Sequence, residues 1–165
     1  MKKLVLGALI LTAFGASSLF AQSSATQSTT ASARVLAKIQ LAKVTDLNFG
    51  DLVAGAAAGT VVIDTAGART STGGVSLAAG TVSQASFTVT GEPNKSYTIT
   101  VPASVTLNSG ANTMAVNTFV LNPVTPATIP VGGSQALNIG ATLNVGAAQA
   151  TGSYTNTFNV VVAYN

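Results

Sequence analysis

The stretch LNIGATLNV, residues 137–145, decides the fold. Leu137, Ile139, Ala141, Leu143 and Val145 fall at every second position, with Asn138, Gly140, Thr142 and Asn144 between them. A period of two belongs to a strand, whose successive side chains point to opposite faces; a helix would place its apolar residues three and four apart. The same alternation recurs outward in both directions. In GSYTNTFNVVVAYN, 152–165, Tyr154, Phe158, Val160, Val162 and Tyr164 share a face. Toward the N-terminus, Val35, Ala37, Ile39 and Leu41 oppose Arg34, Lys38 and Gln40 over residues 31–43.

Between these ends, Phe87 and Val89 share a face of SFTVT, and Tyr97, Ile99 and Val101 share one of SYTITV. GEPNK, 91–95, separates them with turn-forming Gly, Pro and Asn, so residues 84–102 read as a hairpin. TVVID at 60–64, GVSL at 74–77, SVTL at 104–107 and TMAVNTFVL at 113–121 are further strands. NSGAN at 108–112 is a turn, and PVTPATIPVGGSQ is a loop broken by proline and glycine. AGAAAG, 54–59, has helical propensity, but its glycines and its shortness favour a loop. Seven to ten short strands without helical periodicity predict an all-β fold, an antiparallel immunoglobulin-like β-sandwich. The expected core is Val35, Ile39, Phe49, Val61, Ile63, Phe87, Val89, Ile99, Val101, Leu137, Ile139, Leu143, Phe158, Val160 and Val162.

The first 21 residues, MKKLVLGALILTAFGASSLFA, have the build of a secretory signal peptide. Lys2 and Lys3 precede an apolar run from Leu4 to Phe14 that is too short to span a bilayer, and small residues follow. The expected mature chain starts near Gln22, with an earlier cut offered by Ala16 and Ser18. Export to the periplasm, the cell surface or the medium follows. Residues 22–32, QSSATQSTTAS, form an uncharged polar lead-in, and 33–165 a single domain. No later apolar run is long enough for a transmembrane helix. After removal of the leader, five basic residues stand against four acidic ones, so the net charge is about +1 and no basic cluster suits a nucleic-acid partner. The absence of cysteine leaves stability to the core alone.

Catalysis is disfavoured by the inventory. With no His and no Cys, the commonest general base, the thiol nucleophile and the usual zinc ligands are missing. Glu92 in the GEPNK turn and Asp64 at a strand end read as solvated. Asp46, Asn48 and Asp51 around Phe49-Gly50 offer fewer oxygens than calcium needs and read as turn residues. TGGVS and VGGSQ lack the Lys or the helix of a phosphate cradle. Asn94-Lys95-Ser96 fits a glycosylation sequon. The aromatic residues fall on apolar strand faces, where core packing explains them without a sugar ligand. No catalytic residue, cofactor or metal is expected.

Counted from the last residue, Tyr164 is second, Val162 fourth, Val160 sixth, Phe158 eighth and Gly152 fourteenth. This spacing resembles the carboxyl-terminal strand of pilus subunits assembled by the chaperone and usher route. The resemblance implies a pilin-like subunit that self-associates into a fibre and is met by a periplasmic chaperone. A strand with one apolar face and an open edge suits such addition. Val35, Ala37, Ile39 and Leu41 would then belong to a strand donated to a neighbour, or alternatively to the first strand of the domain itself. The chain departs from those pilins in lacking their disulfide.

A whole-domain resemblance runs through LNFGDL (47–52), GTVVID (59–64), GVSL (74–77), FTVTG and SYTITVP (87–102), FVLNP (119–123), IGATLNV (139–145) and GSYTNTFNVVVAY (152–164). It is to the bacterial family called domain of unknown function 4402. LNFGDL also looks like the Phe-Gly turn of spore-coat-U-like pilins. The family resemblance implies an exported β-sandwich and supplies no site residues. Two functions are therefore expected: a structural or adhesive subunit of a surface fibre, or a self-contained binding module that closes its own sheet.

Overall fold

A computed structural model describes residues 23–165. The leader expected over 1–21 lies outside them. Residues 23–34 carry no strand or helix and are exposed throughout. The domain that follows is all-β with ten strands: β1 Gln40–Thr45, β2 Leu52–Ile63, β3 Arg69–Leu77, β4 Ala85–Thr90, β5 Ser96–Thr100, β6 Ser104–Ser109, β7 Asn112–Asn122, β8 Ala127–Thr128, β9 Ser134–Val145 and β10 Val161–Tyr164. Every pairing among them is antiparallel.

The strand that opened the sequence reading is the centre of the larger sheet. Leu137, Ile139, Ala141, Leu143 and Val145 of β9 are all buried. Along one side β9 pairs with β4 at 134–139 and then with β2 at 141–145; along the other it pairs with β7 at 138–144. Gly140 stands where β2 and β4 meet end to end, and a Cβ there would collide with the Ile63 carbonyl. The edges of this sheet are β1, paired only to β4, and β3, paired only to β2, while β6 is added through β7. The second layer is the short sheet β10-β5-β8. Two apolar clusters fill the interior. One gathers Phe49, Val61, Ile63, Met114, Val116 and Leu143, the other Val89, Tyr97, Ile99, Ile129, Leu137 and Ile139.

Several expectations change. Residues 84–102 are not a hairpin. β4 belongs to the large sheet and β5 to the small one, so GEPNK carries the chain from one layer to the other. The physical reason lies in its bonds: Gly91 N–H donates to Gly133 O and Asn94 N–H to Ile129 O, which ties the turn to the segment after β8 and leaves β4 free for β1 and β9. AGAAAG is not a free loop, because it lies within β2. The register against β3 slips between Ala54 and Gly59, where Gly73 and Gly74 leave room for the Ala57 and Ala58 carbonyls. At the N-terminus the strand begins only at Gln40. Val35, expected in the core, is 95% exposed, Ala37 is exposed and outside any strand, and Ile39 is half-buried.

The last strand is also shorter than expected, four residues in place of eleven or more. Gly152, Tyr154, Phe158 and Val160 precede it. The alternation itself survives, with Phe158, Val160, Val162 and Tyr164 half-buried against the core and Thr157, Asn159, Val161 and Ala163 exposed. Phe87 and Val101 are likewise half-buried, while Phe49, Val61, Ile63, Val89 and Ile99 are buried as their spacing predicts.

Candidate functional site

The tail, residues 152–165, runs along β5 and β6. Val161 to Tyr164 form a ladder with Thr100 to Tyr97, and Thr155 exchanges two backbone hydrogen bonds of 3.1 Å with Asn108. Between those anchors, five residues of tail face seven of the β5–β6 segment, because Pro102, which has no N–H to give, interrupts the ladder. Residues 156–160 therefore lie along the sheet without pairing to it. Asn156 compensates with its side chain, donating from Nδ2 to Thr106 O at 2.7 Å.

The opposite edge of the tail faces β1 and the segment after it, and no backbone ladder joins the two among the described residues. This seam between the sheets differs along its length. At its Tyr164 end it is closed by side chains. Tyr164 Oη accepts from Glu92 N–H at 2.6 Å and donates to Ala37 O at 2.8 Å, and Glu92 Oε2 accepts from Ala37 N–H at 3.1 Å. In its middle, Ile39, Leu41 and Leu47 from one side and Phe158, Val160 and Val162 from the other pack on the same cluster.

At the far end the seam opens into a cleft of about 730 Å³. Its walls are residues 47–54 and 149–158, and its floor is the core itself: Val105, Leu107, Met114, Val116 and Leu143. The first wall is the LNFGDL turn. Phe49 is buried, Asn48 Oδ1 accepts from Gly50 N–H at 2.9 Å, and Gly50 has φ +69°. The strongest bonds to this turn come from Arg69. Its Nη1 donates to Phe49 O at 2.8 Å and Asp51 O at 3.1 Å, and its Nη2 to Ala78 O at 2.7 Å. A Cβ on Gly50 would run into that guanidinium, so glycine is required both for the left-handed backbone and for the approach of Arg69. The second wall is braced by Tyr154, whose hydroxyl donates to Ala150 O at 2.7 Å and accepts from Gln149 Nε2 at 2.8 Å. At Gly152 the tail comes so close to Ser109 that a Cβ would meet its Oγ.

The residues expected to mediate strand assembly are thus brought together only in part. Tyr154 and Gly152 line the cleft with Phe158, and Val160, Val162 and Tyr164 close the seam beside Ile39 and Leu41. Val35 is apart from all of them, and Ala37 joins only through its backbone. Sequence reasoning missed Arg69, Glu92, Leu107 and Met114. A single Arg at the start of a strand and a Glu in a turn carry no spacing signal, and which face of β6 and β7 floors a cleft depends on how the sheets stack. Asp46 pairs with Lys43 at 2.8 Å on the surface, and Asp64 Oδ1 accepts from Ala66 and Ala68 N–H, so these acids serve local turns.

Chemically, the cleft offers apolar floor, amides and hydroxyls, and the unpaired backbone edge of the tail. The family model for a domain of unknown function, DUF4402, matches residues 39–164. No curated protein and no solved structure matches the chain.

Proposed function

We propose, from the premise that the chain belongs to the DUF4402 family, that it is an exported, non-catalytic structural or adhesive subunit of a cell-surface fibre, joined to its neighbours by β-strand addition. The observation that carries this reading is the cleft between residues 47–54 and 149–158, where core side chains form the floor beside a tail edge that no strand covers among the described residues. A strand laid there would fill the cleft and pair the tail at once. The residues before Gln40 are the natural donors, since 23–34 are exposed and form no element of their own. Ala37, where these residues join the domain, is bound at Tyr164, whereas the cleft begins near Phe158 and runs to Gln149. Contacts between unlike patches add copies head to tail, and they run on as an open fibre where the rotation between copies does not close a ring.

The self-contained binding module is favoured by one observation: Gln40 to Thr45 pair with β4 of the same domain, so the first strand is used in cis. The experiment compares the chain starting at Gln22 with one starting at Val35, which keeps every strand. Light scattering and unheated gel electrophoresis are expected to show heat-labile ladders for the first and a folded monomer for the second. Monomers from both, at equal and high concentration, would remove the fibre reading and leave the module.

A further inference from the structure

Ala37 belongs to no strand, yet both of its backbone polar groups are taken by side chains from elsewhere in the fold. Its N–H is held by the Glu92 carboxylate from the β4–β5 turn, and its carbonyl by the Tyr164 hydroxyl from β10. These partners are themselves joined, because Glu92 N–H donates to the same hydroxyl. Space is reserved for the arrangement: a Cβ on Gly91 would strike Tyr164 Oη and sit 2.7 Å from Ile129 Cδ1. Packing does not require the hydroxyl. The Tyr164 ring already rests half-buried on the core, and the end of β10 is fixed independently by Asn165 N–H donating to Ser96 O at 3.2 Å and by a Thr98–Asn165 side-chain bond.

We propose that Tyr164 and Glu92 are positioning residues that latch the root of the N-terminal arm to the docked C-terminal strand. Through Ala37 they fix the point on the body from which the arm departs. The latch couples the two ends of the chain: the Ala37 carbonyl is held only while β10 lies on β5, so a strand that displaced β10 would also loosen the arm root. The inference does not rest on the fibre reading, since a self-contained module would be latched in the same way.

Native-state hydrogen exchange on the chain starting at Gln22 tests it. In the wild type, Ala37 N–H is expected to exchange more slowly than its neighbours Leu36 and Lys38, which make no such bond. In Tyr164→Phe, exchange at Ala37 and tryptic cleavage after Lys38 are expected to quicken roughly tenfold, as follows from losing a hydroxyl that makes two bonds. Exchange at Thr98 and Ala163 in the β5–β10 ladder should stay within about twofold, a separation that a purely structural loss would not give. Glu92→Gln, which keeps an acceptor oxygen, should remain closer to the wild type than Glu92→Ala. Wild-type Ala37 exchanging as fast as Leu36 would overturn the latch even if no variant folds. So would a Tyr164→Phe protein in which Ala37 is unchanged, or one in which Ala37 and Ala163 quicken equally.

Discussion

Arg69→Ala is the sharpest test of how the cleft wall is built. The guanidinium makes three charge-assisted bonds to backbone carbonyls, two of them, to Phe49 O and Ala78 O, partly buried. A bond to a charged group contributes about 1.5–3 kcal/mol when enclosed, and the more exposed Asp51 carbonyl will take water instead, so the expected loss is about 2–4 kcal/mol. For a domain of this size that is roughly 6–15 °C in midpoint. Thermal and urea unfolding followed by circular dichroism measure it. Arg69→Lys should recover less than half, because one ammonium cannot span both the 49–51 turn and Ala78. Gly50→Ala should be costly for the same reason, as its Cβ enters the guanidinium position, and the double variant should lose less than the sum of the two. An Arg69→Ala midpoint within about 2 °C of the wild type, or strictly additive losses, would refute this account of the LNFGDL turn.

Two further variants probe the core. Tyr97 is fully buried and its hydroxyl has no partner, so Tyr97→Phe should stabilise by about 1 kcal/mol in urea unfolding, since an unpaired buried polar group is removed. Burial also raises the Tyr97 pKa above its ordinary 10.0. The folded chain keeps a proton that the unfolded chain has lost, so stability present below pH 10 falls as the pH rises past it. The fall should be shallower in Tyr97→Phe, and identical alkaline slopes would count against it. Phe158 stacks on Phe119 with ring centroids 5.2 Å apart but is only half-buried, so Phe158→Ala should cost about 2–3 kcal/mol, less than an enclosed Phe. A loss under about 1 kcal/mol would show that the ring adds nothing to the packing of the cleft wall.

Much of the fold was legible because alternation is a local property. Residues 137–145 declared their buried face in full, and 158–164 declared theirs even where no ladder forms. What the alternation does not encode is which strand lies beside which. GEPNK has the chemistry of a turn whether the chain doubles back on itself or crosses to the other layer. Only the bonds from Gly91 and Asn94 to residues 133 and 129 decide between these, and they join positions more than thirty apart. Likewise, Val35 continues the pattern of Ile39 and Leu41, but alternation places a residue on a face without saying whether anything covers that face. The tail was recognisable as an edge. The cleft beside it was not, because it is made by two walls a hundred residues apart and by an arginine whose role rests on three carbonyls.

The position of β9 in the chain governs how the domain can fold. It is the shared partner of β2, β4 and β7, and it comes after all three. β2 with β3 and β6 with β7 can pair early as neighbours, and β1 with β4 across a longer loop; these three ribbons are joined into one sheet only when residues 134–145 are present. Closing such long loops before any reward places folding in the millisecond-to-second range typical of β-sandwiches, with exposed strand edges in the interval. A chain cut before Ser134 should therefore yield separate ribbons and no joined large sheet, and the time spent waiting for β9 is when this protein is most exposed to mispairing.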